Sequence, residues 1–355
     1  MSRTQQALFL PSHKGEYVVR ETAIPKPDAG EILIKVKATG LNPVDWKIQR
    51  FDSFIDYYPA ILGCEYAGDV VEVGEGVEGF KEADKVFCQA DWSNRKAAFQ
   101  QYAIALAVTT TKIPEGFSYD YVASIPEGLS TAYSALYNSS PHGIGLTPPT
   151  SHESRQVDAG QPILIMGGAT TVGQMAIQLA KLSNLSPIIV TASLSNSEAL
   201  KELGATHVID RKLAHDEFIS QVSATLSGER LKFAFDAVGD PETQQSAFAA
   251  LASGGRLGVV LPSTIPTSEI ESSDKSVIFA VAALSMPYNI PLLEDLYGHH
   301  LEKWVAEGAI KPNRVEVIPE GLHGIPAGLK RLETGDVSRL RLVIHPHETT
   351  ISSTV

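Results

Sequence analysis

The chain has 355 residues, 43% of them apolar and 20% charged, enough to bury a large core and to form two domains rather than one. A formal net charge of −12 without any lysine or arginine run sets the chain against a nucleic-acid backbone, while leaving room for a local basic pocket that takes one phosphate. Two cysteines, Cys64 and Cys88, allow neither a C-x-x-C pair nor a four-ligand cluster, which points to a reducing, cytoplasmic setting.

No membrane association is expected. Met1 to Lys14 lacks a basic flank followed by an apolar stretch, and apolar runs such as Val277 to Leu284 are too short to span a bilayer.

Residues 7 to 120 carry short β-type runs punctuated by glycine and proline: Ala7–Leu10, Glu31–Ala38, Ala67–Val73, Lys85–Cys88 and Gln101–Ala105. Such spacing predicts a small barrel-like β domain. Tyr121 to Tyr137 reads as helical. Asn138 to Ala159 is rich in Ser, Pro, Gly and His without periodicity and reads as a surface insertion.

The run from Pro162 to Gly173 then passes from apolar residues into a glycine turn and on into the helical pattern Gln174 to Lys181. This is a strand, a tight turn and a helix N-terminus, where a pyrophosphate can sit. Gly168, Ala169, Thr170, Thr171, Val172 and Gly173 are the candidate phosphate-binding residues. Gly168 and Gly173 fill the outer places of G-x-G-x-x-G, but Thr170 takes the middle one, so a glycine-rich turn of another α/β protein is the competing reading.

The next strand, Ile188 to Ala192, ends at Ser193, where an NAD-binding chain usually carries a carboxylate for the ribose 2′-hydroxyl. Ser193, Ser195 and Asn196, with Arg211 or Lys212 as cation, can instead hydrogen-bond a 2′-phosphate, so NADPH is expected over NADH. The same serines also suit a helix cap before Glu198 to Leu203, and the two readings are compatible.

Strand and helix patterns alternate to about Pro262, the mark of a doubly wound parallel sheet. Val238, Gly239 and Leu261 end strands at its carboxyl edge, where nicotinamide is expected. Leu292 to Glu307 reads as an amphipathic helix, and His345 to Val355 as a poorly ordered tail. His142, His152, His299 and His300 show no ligand spacing and are read as surface residues.

Several phrases together resemble the zinc-free branch of the medium-chain dehydrogenase/reductase superfamily. They are Gly40-Leu41-Asn42-Pro43-Val44-Asp45-Trp46-Lys47, Leu62-Gly63-Cys64-Glu65-Tyr66-Ala67-Gly68, the glycine turn, Leu203 to Asp210, Phe235 to Gly239 and Gly254 to Leu257. The resemblance implies an α/β fold in three stretches. Residues 1–125 would form a GroES-like β-barrel catalytic domain, 126–285 a Rossmann NADPH-binding domain, and 286–355 a return to the first domain with the tail.

In zinc-using members of the superfamily a cysteine and a histidine stand where this chain has Asn42 and Cys64. A catalytic zinc needs three protein ligands, so a zinc-free enzyme is expected. Loss of that Lewis acid disfavours alcohol oxidation and points to hydride addition across a conjugated double bond.

The Asn-Pro-Val-Asp-Trp-Lys phrase, the glycine turn and the insertion most resemble fungal trans-acting enoyl reductases of polyketide synthases. That resemblance places Lys47 and Thr131 at the active site, with Asn42 beside substrate or nicotinamide and Asp45 holding the loop through its backbone. Lys47 on a strand end with a solvated head is the alternative.

The implied substrate is a small-molecule or carrier-bound enoyl group, the implied partner a polyketide synthase carrier domain, and the implied state a monomer, with an edge-strand homodimer as alternative. Tyr58 is a candidate proton donor, with neighbouring Tyr57 in contention and cleft packing as the competing role. Arg341 occupies the place of a cofactor-side lysine in relatives, or makes a surface salt bridge. Quinone reduction and a non-catalytic NADPH-binding relative are the other readings of function.

Overall fold

The structure, a computed structural model, describes residues 3–350. The chain divides into two compact units. The first holds the chain through Glu127 with Leu293–Ala306 and the stretch from Pro312 onward. The second holds Gly128–Leu292 and Glu307–Lys311.

In the first unit, β1 (Thr4–Leu10), β2 (Val18–Ala23) and β4 (Ala60–Ile61) form a three-stranded sheet in the order β2-β1-β4. A larger sheet is built around β3 (Glu31–Gly40) and β5 (Glu65–Val73), which pair antiparallel with register shifts at Leu33/Ile34 and Val36/Ala38. β6 (Lys85–Gln89), β7 (Tyr102–Leu106) and β8 (Thr110–Lys112) extend it. Both sheets send apolar side chains into one core, which includes Leu8, Leu10, Ile32, Ile34, Tyr66 and Val70. These are alternating inward positions of strands rich in β-branched and aromatic residues.

In the second unit, strands β9 (Ile163–Met166), β10 (Ile188–Ala192), β11 (His207–Asp210), β12 (Phe233–Asp236), β13 (Arg256–Val259) and β14 (Ser276–Phe279) lie parallel in the order β11-β10-β9-β12-β13-β14. Helices Thr171–Leu182, Ser197–Leu203, His215–Leu226, Pro241–Ala250 and Thr267–Ser272 connect them in turn. The chain runs outward from β9 in one direction and returns to the other side of it for β12. The order therefore reverses at β9, and the carboxyl ends of β9, β10 and β12 flank the switch point where open α/β sheets bind ligands.

Three expectations need correction, and a fourth is refined. Lys47 stands on a helix, Pro43–Phe51, not on a strand end, because Asn42 and Pro43 open a helix with Asp45 in its first turn. The insertion is anchored rather than wholly superficial: Ile144 and Leu146 are buried, and the Ile144 N–H donates to Ala135 O at 2.8 Å. The expected late helix is present as Ile290–Asp295, Leu296–His300 and Leu301–Ala306, with a π turn in its middle segment that carries His299 and His300. His345–Thr350 is ordered, since Thr349 Oγ1 accepts from the Leu322 N–H and His345 Nε2 lies 2.7 Å from Asp120 Oδ1. The rest of the expected tail, 351–355, lies outside the described residues.

The return strands β15 (Val315–Val317) and β16 (Arg341–Ile344) pair parallel with each other, and β16 pairs antiparallel with the end of β3. This brings Arg341 to the loop that follows β3. No helix among the described residues is long and apolar enough to cross a membrane.

Candidate functional site

The glycine turn after β9 is built for close approach. Gly167 has φ +74°, and a Cβ there would come 2.4 Å from Val238 Cγ2. A Cβ on Gly173 would lie 2.2 Å from Gly167 O, so only glycine lets the helix start against the strand end.

Thr170 explains the imperfect motif. It is the N-cap of the Thr171–Leu182 helix, and its Oγ1 accepts from the Gly173 N–H at 2.9 Å. The side chain is therefore spent on the helix end, and the first-turn N–H groups of Thr171 and Val172 remain as donors for an anion.

Thr191, not singled out in the sequence, fixes the other side of the turn. Its Oγ1 accepts from the Gly167 N–H and its carbonyl from the Gly168 N–H, both at 2.9 Å. Its only signal was a polar residue inside the apolar run Ile188 to Ala192.

At the end of β10, Arg211 Nε donates to Ser193 Oγ at 3.1 Å, which joins two of the residues assigned to the 2′-phosphate. Neither Ser193 nor Asn196 makes a side-chain capping bond to the turns that follow, so the helix-cap reading is not realised. Beside them opens a cavity of about 600 Å³, lined among others by Thr191, Asp210, Arg211, Phe218 and Thr243.

The Val238–Gly239 loop is held by a buried carboxylate. Asp236 accepts from the N–H groups of Val238 (2.9 Å) and Gly239 (3.1 Å) and from Thr243 Oγ1 (2.7 Å). Burial pushes its carboxyl upward, against these three hydrogen bonds. Gly239, with φ +88°, lies against Leu261, so both predicted strand-end residues meet at one edge.

In the first unit, Asn42, Glu65 and Arg341 form a buried polar cluster. Glu65 is 0% and Arg341 2% exposed, and Arg341 Nε lies 3.2 Å from Glu65 Oε1, off hydrogen-bond geometry. Arg341 Nη1 donates to Leu41 O and to Asn42 Oδ1, while Asn42 Nδ2 donates to Glu65 Oε1 at 3.0 Å. The backbone N–H of Glu127 donates to Glu65 Oε2 at 2.9 Å. A Cβ on Gly40 would come 2.2 Å from Glu65 Oε1, so the glycine before Leu41 makes room for that carboxylate. Arg341 thus makes neither a surface ion pair nor an exposed contact; within its unit it neutralises Glu65, whose carboxyl burial raises and Arg341 lowers.

Asp45 joins a second buried set. Its carboxylate accepts from the N–H groups of Asn42 (2.8 Å) and Gly63 (3.1 Å), and Cys64 Sγ lies 3.6 Å away. Trp92 Nε1 donates to Cys64 Sγ at 3.2 Å. Burial raises the Asp45 carboxyl to about 7 and drives the Cys64 thiol well up, with Asp45 adding to the latter.

Lys47, one turn into the same helix, is half-buried with Nζ 5.7 Å from the Trp46 ring centroid. Thr131 is half-buried on the Pro126–Tyr137 helix of the second unit. Tyr58 donates to Asp52 Oδ1 at 2.7 Å, and burial with Asp52 raises its phenol to about 12. Tyr57 has a buried hydroxyl with no hydrogen-bond partner.

Comparison with known proteins places these features. The profile described as alcohol dehydrogenase GroES-like domain matches residues 28–124, and the one described as zinc-binding dehydrogenase matches 171–278. A trans-enoyl reductase of Gibberella fujikuroi is 32% identical over 339 residues, 90% of this chain and 93% of that protein. The chain belongs to the medium-chain dehydrogenase/reductase superfamily.

Two solved structures share the fold. A quinone oxidoreductase from Coxiella burnetii superposes with a TM-score of 0.72 at 25% identity, over 97% of this chain and 99% of its own. A mycobacterial protein solved with NADPH has a TM-score of 0.76 at 22% identity, over 96% and 100%.

As a superfamily member, the chain fits a nicotinamide dinucleotide. The glycine cradle that a Cβ would fill, the two orphan N–H donors and the Arg211–Ser193 pair lie along the carboxyl edge of the sheet. The donor set does not fit the zinc that the matching family is described as binding. Asn42 is bonded on both ends of its amide, and Cys64 is a thiol held neutral by burial and by Asp45. No group of three His, Cys, Asp or Glu side chains among the described residues could hold a metal ion.

Proposed function

We propose that this oxidoreductase is an NADPH-dependent, zinc-independent reductase of activated C=C bonds, acting on an enoyl thioester or enone in a polyketide pathway. The observation that carries the reading is the use of Asn42 and Cys64, at the two zinc-ligand places, inside hydrogen-bonded networks. With those groups spent, a substrate carbonyl has to be polarised by hydrogen-bond donors, which suits conjugate addition better than alkoxide formation. The name of the Gibberella relative supports the same substrate class.

When bound, the reduced nicotinamide would supply a hydride to Cβ of the unsaturated substrate, and Cα would take a proton to complete the reduction. The amides of Thr171 and Val172 hold the pyrophosphate, and Ser193 with Arg211 holds the 2′-phosphate. Lys47 and Thr131 act on the nicotinamide ribose and the substrate carbonyl. A carrier domain presenting the thioester is the partner this reading calls for.

For cofactor choice, Arg211→Ala is expected to weaken NADPH about tenfold while leaving NADH within a factor of about two, read by fluorescence titration. Equal losses for both cofactors would remove the 2′-phosphate assignment.

Function is tested by following NADPH oxidation by metal-analysed protein against an enoyl thioester, an enone, a quinone and an aldehyde. Thioester or enone turnover without stoichiometric zinc is expected, with Lys47→Ala lowering kcat by roughly a hundredfold and NADPH binding retained. Consumption of quinone alone favours the activity named for the Coxiella fold relative. Binding of NADPH with no turnover favours a non-catalytic role.

A further inference from the structure

A second cavity of the cofactor-binding unit, of about 220 Å³, gathers three cations, Arg155, Lys181 and Lys311, with one carboxylate, Glu202. Lys181 is in the last turn of the Thr171–Leu182 helix, and a rise of roughly 15 Å along that helix separates it from the glycine turn at the other end. The cavity therefore lies at the amino edge of the sheet, away from the cofactor residues.

The roots of the cations are fixed. The backbone of Lys311 is gripped from both sides by buried Gln178: its N–H donates to Oε1 at 2.7 Å and its carbonyl accepts from Nε2 at 3.3 Å. Arg155 Nε donates to Pro149 O at 3.0 Å, and its carbonyl accepts from Asn184 Nδ2 at 3.2 Å. The stem of Lys181 packs over Gly204, where a Cβ would come 2.8 Å from Lys181 Cβ.

Their charged ends are left over. Among the described residues no ion pair joins Arg155, Lys181 or Lys311 to an acid, Glu202 included. The helix-end carbonyls that compete for cations are already capped: Leu179, Ala180 and Lys181 accept from the N–H groups of Ser183, Leu185 and Asn184. An unneutralised cationic concavity on a chain of net charge −12 concentrates anions locally, where most of the surface repels them.

We propose that this cavity is a second anion site, for a phosphate monoester dianion. Three cations facing one carboxylate leave a surplus that two negative charges offset. Arg155, with Nε already fixed, presents the rest of its guanidinium, and the lysines add point charges. A phosphate group with a small substituent fits the volume. Free phosphate and a monoester share this chemistry.

The test is calorimetric titration of inorganic phosphate and of glycerol 3-phosphate, at constant ionic strength set with chloride, into protein carrying Arg211→Ala to weaken the cofactor-edge anion site. Saturable binding is expected, and adding Lys181→Gln with Lys311→Gln should weaken it about tenfold or more. The Lys181→Arg/Lys311→Arg pair should retain it. Tighter binding of the ester supports a monoester ligand, and equal binding supports free phosphate as the source. Both lysines are exposed, and an unchanged urea midpoint in phosphate-free buffer will show that the variants fold. Absence of saturable binding, or affinity indifferent to the lysine pair, overturns the proposal.

Discussion

Arg341→Met is expected to destabilise the protein by about 3–5 kcal/mol, because it strands the buried Glu65 carboxylate inside the first unit. Methionine fills similar volume, so the loss reports charge rather than a void. The same reasoning gives the double variant Arg341→Met/Glu65→Gln a smaller loss than Arg341→Met alone, since no ion is then left unpaired.

The pH dependence supplies a sign. Arg341 is the group that holds Glu65 down against burial, so its removal lets the folded-state pKa rise further above the unfolded value. A carboxyl raised in the folded state contributes stability at low pH that is lost as pH climbs through the folded pKa. The gap between wild type and Arg341→Met should therefore narrow on acidification, as measured by urea unfolding at several pH values. A gap independent of pH, or a double variant as unstable as the sum of the singles, would mean that Arg341 acts by packing alone.

The second large effect is expected from Gly173→Ala. Its Cβ would have to enter within 2.2 Å of Gly167 O, a backbone atom that has no rotamer by which to withdraw. The helix start must move off the strand, at a cost of about 3 kcal/mol, carrying the Thr171 and Val172 amides away from the phosphate position. Dinucleotide affinity should fall by more than about tenfold. Gly168→Ala is the internal comparison: its Cβ would come 3.0 Å from Val190 Cβ, a contact that a shift of a few tenths of an ångström relieves, so the effect should be smaller. Equal effects at both positions would remove the claim that Gly173 is the closest approach in the turn.

The repeating strand and helix patterns announced the parallel sheet, and the glycine turn between an apolar run and an amphipathic helix announced the strand–turn–helix junction at its carboxyl edge, because both are local signals of period and turn chemistry. Ser193 and Arg211, 18 residues apart, were both named for a 2′-phosphate, with Lys212 as the alternative cation, and the fold joins them by a hydrogen bond. The family followed from several phrases read together, and the comparisons confirm it.

Other features depended on the fold. Asn42, Glu65 and Arg341 converge only because β16 returns to pair with the end of β3, a contact about three hundred residues apart in the chain that no local pattern encodes. Arg341 was therefore read as standing in the place of a cofactor-side lysine or in a surface salt bridge, and neither reading named buried Glu65 as its partner. Thr170 looked like a defect in a glycine motif until its hydroxyl was seen capping the helix, and the strand end offered as the alternative setting of Lys47 gave way to a helix that Asn42 and Asp45 open. Sequence determined the fold class and the family, since these rest on periodicity, turn chemistry and residue identity. Only the tertiary structure decided which polar groups are already spent on one another and which, like the cations around Lys181, are left over, because burial and pairing are properties of neighbours in space.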